Sequence, residues 1–154
     1  MVVDVLNNLL LRNVQEKYIH LVEGTNARMD TLQAAVLKVK LDALERHVVQ
    51  RNHLANVYLD GLSGLDLTFQ RAPVGCHHGW HLFTVRCKNR DGLQRALAAE
   101  GIETGIHYPL PLHLQPAYKG RGWEKGAFPV AERTAEETVS LPMYPQLEVA
   151  AVEQ

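Results

Sequence analysis

From Thr31 to Asp60 the chain carries neither glycine nor proline, and no other part of it is free of both for as long. Asp30 and Gln33 have the spacing of a capping box, in which an N-cap side chain and the third helical residue satisfy each other's backbone donors. Leu32, Val36, Val39 and Ala43 form one stripe at helical spacing, and Leu37, Leu41, Leu44 and Val48 form a second beside it. Two neighbouring stripes predict a helix over 31–62 with a broad buried face. Unbroken, it would reach roughly 45 Å at about 1.5 Å per residue. Gly61 and Gly64 supply the stop. On this reading Leu37→Ala or Leu44→Ala costs about 2–5 kcal/mol, and more than His78→Ala in a loop.

The remainder divides into shorter pieces. "LDLTFQ" and "WHLFTVRC" alternate as strands do, with His81, Phe83, Val85 and Cys87 sharing a face. "KNRDGLQRALAAEG" predicts a helix capped by Asp91 and closed by Gly101. "IETGIHY" is a third strand candidate, and "FPVAERTAEETVSLPMYP" reads as a helix begun near Pro129 and stopped before Pro142. The pattern predicts one α+β domain. It has an N-terminal segment 1–30, a long helix 31–62, and a small α+β subdomain 63–154 with an antiparallel sheet and helices on one side.

Composition narrows the partners. With 46% apolar and 21% charged residues the chain is globular. A formal charge of −1 gives no bulk attraction to nucleic acid or to an anionic membrane. No apolar run is long enough to span a bilayer, and "MVVDVLNNLLLRN" has Asp4 early and no basic region ahead of its apolar residues, unlike a signal peptide. Two cysteines, Cys76 and Cys87, make no disulfide framework, so the expected compartment is the cytoplasm.

Chemistry concentrates in "GIETGIHYPLPLH". His107, Tyr108 and His113 bracket Pro109 and Pro111, whose locked φ stiffens a loop and aims its side chains. Such residues can stack on a ligand or donate to its hydroxyl or phosphate oxygens. Equally, Tyr108 can pack in a core with His107 on an edge strand. Gln115 follows as a further polar candidate. "CHHGWH" groups His77, His78 and His81 with Cys76, but adjacent histidines point apart in extended chain and no second motif closes a tetrahedron, so no metal is expected. Lys38, Lys40 and Arg46 read as a solvated face.

Taken in order, "GTNARMDTLQAAVLKVKLDALERHVVQRNHLANVY", "WHLFTV", "RDGLQRALAAEGIETGIHYPLPLHLQPAY" and "FPVAERTAEETVSLPMYP" resemble the C-terminal part of the DegT/DnrJ/EryC1/StrS aminotransferases. The resemblance runs from about Leu11 to Pro145. It implies the small domain of a fold-type I aminotransferase. Members of that family use pyridoxal phosphate to aminate keto-sugars attached to nucleotides, usually with glutamate or glutamine as donor. The family's Schiff-base lysine lies in a large upstream domain. "LRNVQEKYIHLVEGTN" resembles the stretch just after that lysine segment, so Lys17 does not correspond to it. The chain alone is therefore expected to hold no cofactor and to transfer no amino group.

The resemblance also assigns candidate sites. Asn26 matches the residue that reaches a neighbouring subunit's cofactor phosphate, although an isolated Asn there also suits a simple turn. Arg28 can contact the same phosphate or pair with Glu23 or Asp30. His107, Tyr108 and His113 match a loop at the mouth of the active site. Expected partners are a second copy of the chain, through residues 1–60, and a separate chain bearing the cofactor domain. The alternative is a binding or oligomerisation module that kept the fold without the catalysis.

Overall fold

The computed structural model describes residues 18–21, 23 and 29–153. They form two compact units: one of residues 29–106 and 138–153, the other of residues 107–137 with the described part of 1–28. Each unit has its own way of satisfying its buried groups.

In the first unit Asp30 caps helix α1 (Thr31–Leu41) with both bonds of the capping box in place. Helix α2 (Leu44–Gly61) follows. The single helix expected over 31–62 is therefore two. At the break Asp42 and Ala43 leave the helical hydrogen-bond ladder, and the Ala43 amide turns back to the Lys40 carbonyl at 3.2 Å. Asp is a poor helix former, and Ala43 supplies no side-chain cap.

The broad buried face also divides. Leu54, Ala55 and Tyr58 of α2 are buried, whereas α1 buries none of its residues. Leu37 is 50% and Leu44 48% exposed. Periodicity marks an apolar face, but what lies against that face is settled elsewhere in the molecule.

The sheet has three antiparallel strands in chain order: β1 (Thr68–Phe69), β2 (Phe83–Arg86) and β3 (Thr138–Leu141). Phe83 faces Leu141 and Val85 faces Val139 across the β2–β3 ladder. Phe83, Val85 and Val139 are fully buried and cluster with Ala55, Tyr58 and Trp80. Phe83 stacks on Tyr58 at 4.6 Å, and the Tyr58 hydroxyl donates to the Pro142 carbonyl at 2.9 Å. Burial, then the nearby Tyr144, pushes the Tyr58 phenol up to about 12.

Three expectations change here. The third strand is "TVSL", the tail of the segment read as helix; helix α4 (Pro129–Glu137) ends where β3 begins. Thr138, Val139 and Ser140 are all buried, and pairing of the β-branched Thr138 and Val139 with β2 outweighs continued helix. "IETGIHY" contributes only an isolated bridge, with Gly105 exchanging both backbone bonds with Ser140 at 3.0 and 2.7 Å. Helix α3 (Arg90–Ala99) begins at Asn89, whose side chain accepts from the Gly92 amide, and not at Asp91. Its end is as expected. Gly101 takes φ +78, and the Ile102 and Gly101 amides close back on Leu97 and Ala98 as a Schellman motif. A last short helix, α5 (Val149–Val152), contacts α2. No helix among the described residues is long and apolar enough to cross a membrane.

Candidate functional site

The proline-rich loop belongs to the second unit, whose described residues hold little regular structure. After Tyr108 the chain passes through Pro109 and Pro111 into a 3-10 turn, Leu112–Leu114, and then a second, Pro116–Arg121. Gly122 ends the second turn at φ +75. Proline rings fix φ at the entry to each turn and remove donors the turns could not use.

The exposed end of this loop gathers aromatic rings. Tyr108 is 62% exposed and meets Tyr18 edge-on at 5.9 Å and His107 at 5.5 Å. The His107–Tyr108 peptide is cis. One imidazole and two phenols thus lie together, a set able to donate to and accept from hydroxyl and phosphate oxygens and to lie against a sugar ring. Tyr18 was not singled out in the sequence, and nothing local marks it; its place beside Tyr108 comes from a contact 90 residues apart (108 − 18).

His113, expected at the same mouth, is instead only 7% exposed. Its Nε2 lies 2.9 Å from Glu132 Oε1. Both Glu132 oxygens also accept from the Gly126 amide at 2.9 Å, and Oε1 accepts from the Phe128 amide at 3.2 Å. The Gly126 amide above all, then Phe128 and His113, hold the Glu132 carboxyl below its ordinary value of 4.5 against the opposing effect of burial. Gln115, 5% exposed, spends both ends of its amide: Oε1 accepts from the His20 amide at 3.0 Å and Nε2 donates to the Tyr18 carbonyl at 2.8 Å. Neither Glu132 nor the partners of Gln115 can be read from local spacing.

The other candidates scatter. Asn26 and Arg28 lie outside the described residues. Cys76, His77 and His81 are exposed. His78 is half-buried: its Nδ1 accepts from the Trp80 amide at 2.9 Å and its ring lies 4.0 Å from that of Trp80, while its carbonyl accepts from Asn52. It is a structural partner of Trp80, which takes φ +42. The described lysines, Lys38, Lys40, Lys88, Lys119 and Lys125, are all exposed. A lysine that holds pyridoxal phosphate as an imine works from a shielded, activated setting, and these residues do not fit that requirement.

The family model of the DegT/DnrJ/EryC1/StrS aminotransferases matches residues 3–154. The erythromycin biosynthesis sensory transduction protein EryC1 of Saccharopolyspora erythraea is 49% identical over 141 residues, 90% of this chain and 38% of its own length. The dTDP-3-amino-3,4,6-trideoxy-alpha-D-glucose transaminase of Streptomyces venezuelae is 44% identical over 142 residues, again 90% and 38%. Among solved structures, S. venezuelae DesV in complex with a ketimine intermediate superposes with a TM-score of 0.75 at 41% identity, covering 96% of this chain and 42% of that one. An aminotransferase of the same family from Brucella abortus gives 0.73 at 38% identity, covering 97% and 40%. The chain thus spans well under half the length of the relatives it matches.

Proposed function

The chain belongs to the DegT/DnrJ/EryC1/StrS aminotransferase family, and from that premise we propose that it is the C-terminal portion of a pyridoxal-phosphate-dependent transaminase of nucleotide-linked keto-sugars. In this role it supplies the substrate-facing wall and takes the catalytic lysine from outside these 154 residues. The observation that carries the reading is the Tyr18–His107–Tyr108 cluster on the exposed end of a stiffened loop, in a chain 44% identical to a dTDP-sugar transaminase. His107 and Tyr108 would contact the sugar or its phosphates. Asn26 and Arg28 would reach the cofactor phosphate of a neighbouring subunit. No step through the cofactor is assigned to this chain, because its described lysines do not fit the holding of that group.

The reading includes assembly as a homo-oligomer. Helix α1 is apolar on several sides, with Leu32 78%, Val39 75% and Leu41 65% exposed. Exposed apolar surface of this kind marks an interaction site in soluble proteins. The same feature supports the second reading, an oligomerisation module without catalysis.

Complementation separates the two. The chain is incubated with pyridoxal phosphate, glutamate and a dTDP-keto-sugar, with and without the lysine-bearing remainder of the S. venezuelae transaminase. Turnover only in the complemented mixture, reduced by Tyr108→Ala and His107→Ala, supports the enzyme reading. No turnover in either mixture, with a stable oligomer by light scattering, supports the module. Turnover by the chain alone, with one lysine labelled stoichiometrically after borohydride reduction, overturns both.

A further inference from the structure

We propose that Glu132 and His113 act as positioning residues: their buried bond, seconded by Gln115, holds the loop that presents His107 and Tyr108. The inference rests on the reading that those two side chains face substrate, but what it asserts is the geometry of the loop.

Within residues 107–137 the buried side chains are His113, Gln115, Glu132 and Ala135, so three of the four are polar. A unit ordered only for stability would place apolar groups there, since replacing a buried ion pair by well-packed apolar residues is often neutral or stabilising. Directional bonds do something packing cannot: they fix where one backbone segment lies against another.

The connections can be followed atom by atom. Glu132 sits in the first turn of α4 and receives the Gly126 and Phe128 amides, which fixes the approach to that helix. An ionised carboxylate only accepts, so the proton of its bond with His113 resides on Nε2 of the imidazole. The Phe128 ring closes over the imidazole at 4.8 Å. His113 lies in the 3-10 turn whose Leu114 amide bonds to the Pro111 carbonyl at 3.0 Å. Between His113 and Tyr108 two prolines remove freedom of φ. Two residues beyond His113, Gln115 ties the loop to Tyr18 and His20, and the Tyr18 ring returns to touch Tyr108. Tyr108 is therefore held twice, through the chain from His113 and through a ring contact from Tyr18.

The test uses the whole chain without substrate, so its failure is distinct from failure of the functional reading, which Tyr108→Ala tests in the complementation assay. Nitrogen-detected NMR of labelled histidine reads the His113 tautomer, fluorine NMR of 3-fluorotyrosine reads Tyr108, and hydrogen exchange reads the backbone. In the unmodified chain His113 should carry its proton on Nε2. In Glu132→Gln the tautomer preference should be lost, the Tyr108 signal should shift or broaden, and amides of 107–115 should exchange about tenfold faster while those of β2 and β3 do not change. Phe128→Leu, which keeps every bond to the carboxylate, should leave the tautomer unchanged and the loop exchange within about twofold. Equal acceleration in the loop and the sheet would reduce the pair to general stability and overturn the proposal. So would an unmodified His113 protonated on Nδ1 alone, which requires no variant to fold.

Discussion

The two units solve the same problem differently. Residues 29–106 and 138–153 pair their backbone in helices and a sheet, leaving Phe83, Val85, Val139, Ala55, Tyr58 and Trp80 to pack as an apolar cluster. Among its described residues, the unit holding 107–137 has one helix of real length and two 3-10 turns, so many of the amides there have no ladder to join. Side chains take that role: Glu132 serves the Gly126 and Phe128 amides just ahead of its helix, and Gln115 serves backbone groups of His20 and Tyr18 far from it in sequence. A ladder fixes strands, whereas single side-chain bonds fix individual residues of a loop. The second solution suits a segment whose exposed residues must be aimed.

The largest test of this contrast lies in the apolar cluster. Phe83→Ala removes a fully buried ring that stacks on Tyr58 and should cost about 3–5 kcal/mol in chemical denaturation. A loss below about 1 kcal/mol would show that the sheet does not depend on packing around Phe83. Next comes the polar unit. Gln115→Ala leaves the His20 amide and Tyr18 carbonyl unpaired and should cost about 1–3 kcal/mol. Gln115→Leu, which restores volume but no bonds, should not recover it; recovery would mean that this unit too is held by packing.

Tyr58 joins both modes, with its ring in the apolar cluster and its hydroxyl on Pro142. Its folded pKa is raised, so its contribution is complete below the ordinary 10.0 and is lost as pH climbs towards about 12. Alkaline titration by ultraviolet absorbance should show a late step that belongs to Tyr58. Tyr58→Phe should abolish that step and cost about 0.5–1.5 kcal/mol at neutral pH. The smallest effect is expected on α1. Leu37→Ala at low protein concentration should stay within about 0.5 kcal/mol, below His78→Ala at about 1 kcal/mol for its bond to Trp80. This reverses the ranking that helical spacing suggested. A Leu37 effect that grows with protein concentration would reveal a second copy covering α1.

How far such features can be read in advance follows from the distance over which each is made. The capping box of Asp30 and Gln33, the Schellman end at Gly101 and the stiff loop at Pro109 and Pro111 depend on residues within a few positions of one another. They are legible because each stretch carries both partners of its own bond. The succession of such stretches was also enough to mark the family, since order and spacing survive where single motifs are weak. The α+β class followed from the same alternation of patterns.

Burial and pairing lay beyond that reach. Leu37 and Phe83 are both apolar residues on periodic segments, yet one is half exposed and the other buried, because only Phe83 has α2 and β3 packed around it. "TVSL" is a strand because β2 lies beside it, and His113 is an anchor because folding brings Glu132 to its Nε2 across 19 positions. A one-dimensional pattern records what a residue can contribute. Its neighbours in space, which settle whether it packs, pairs or faces solvent, exist only once distant segments have come together.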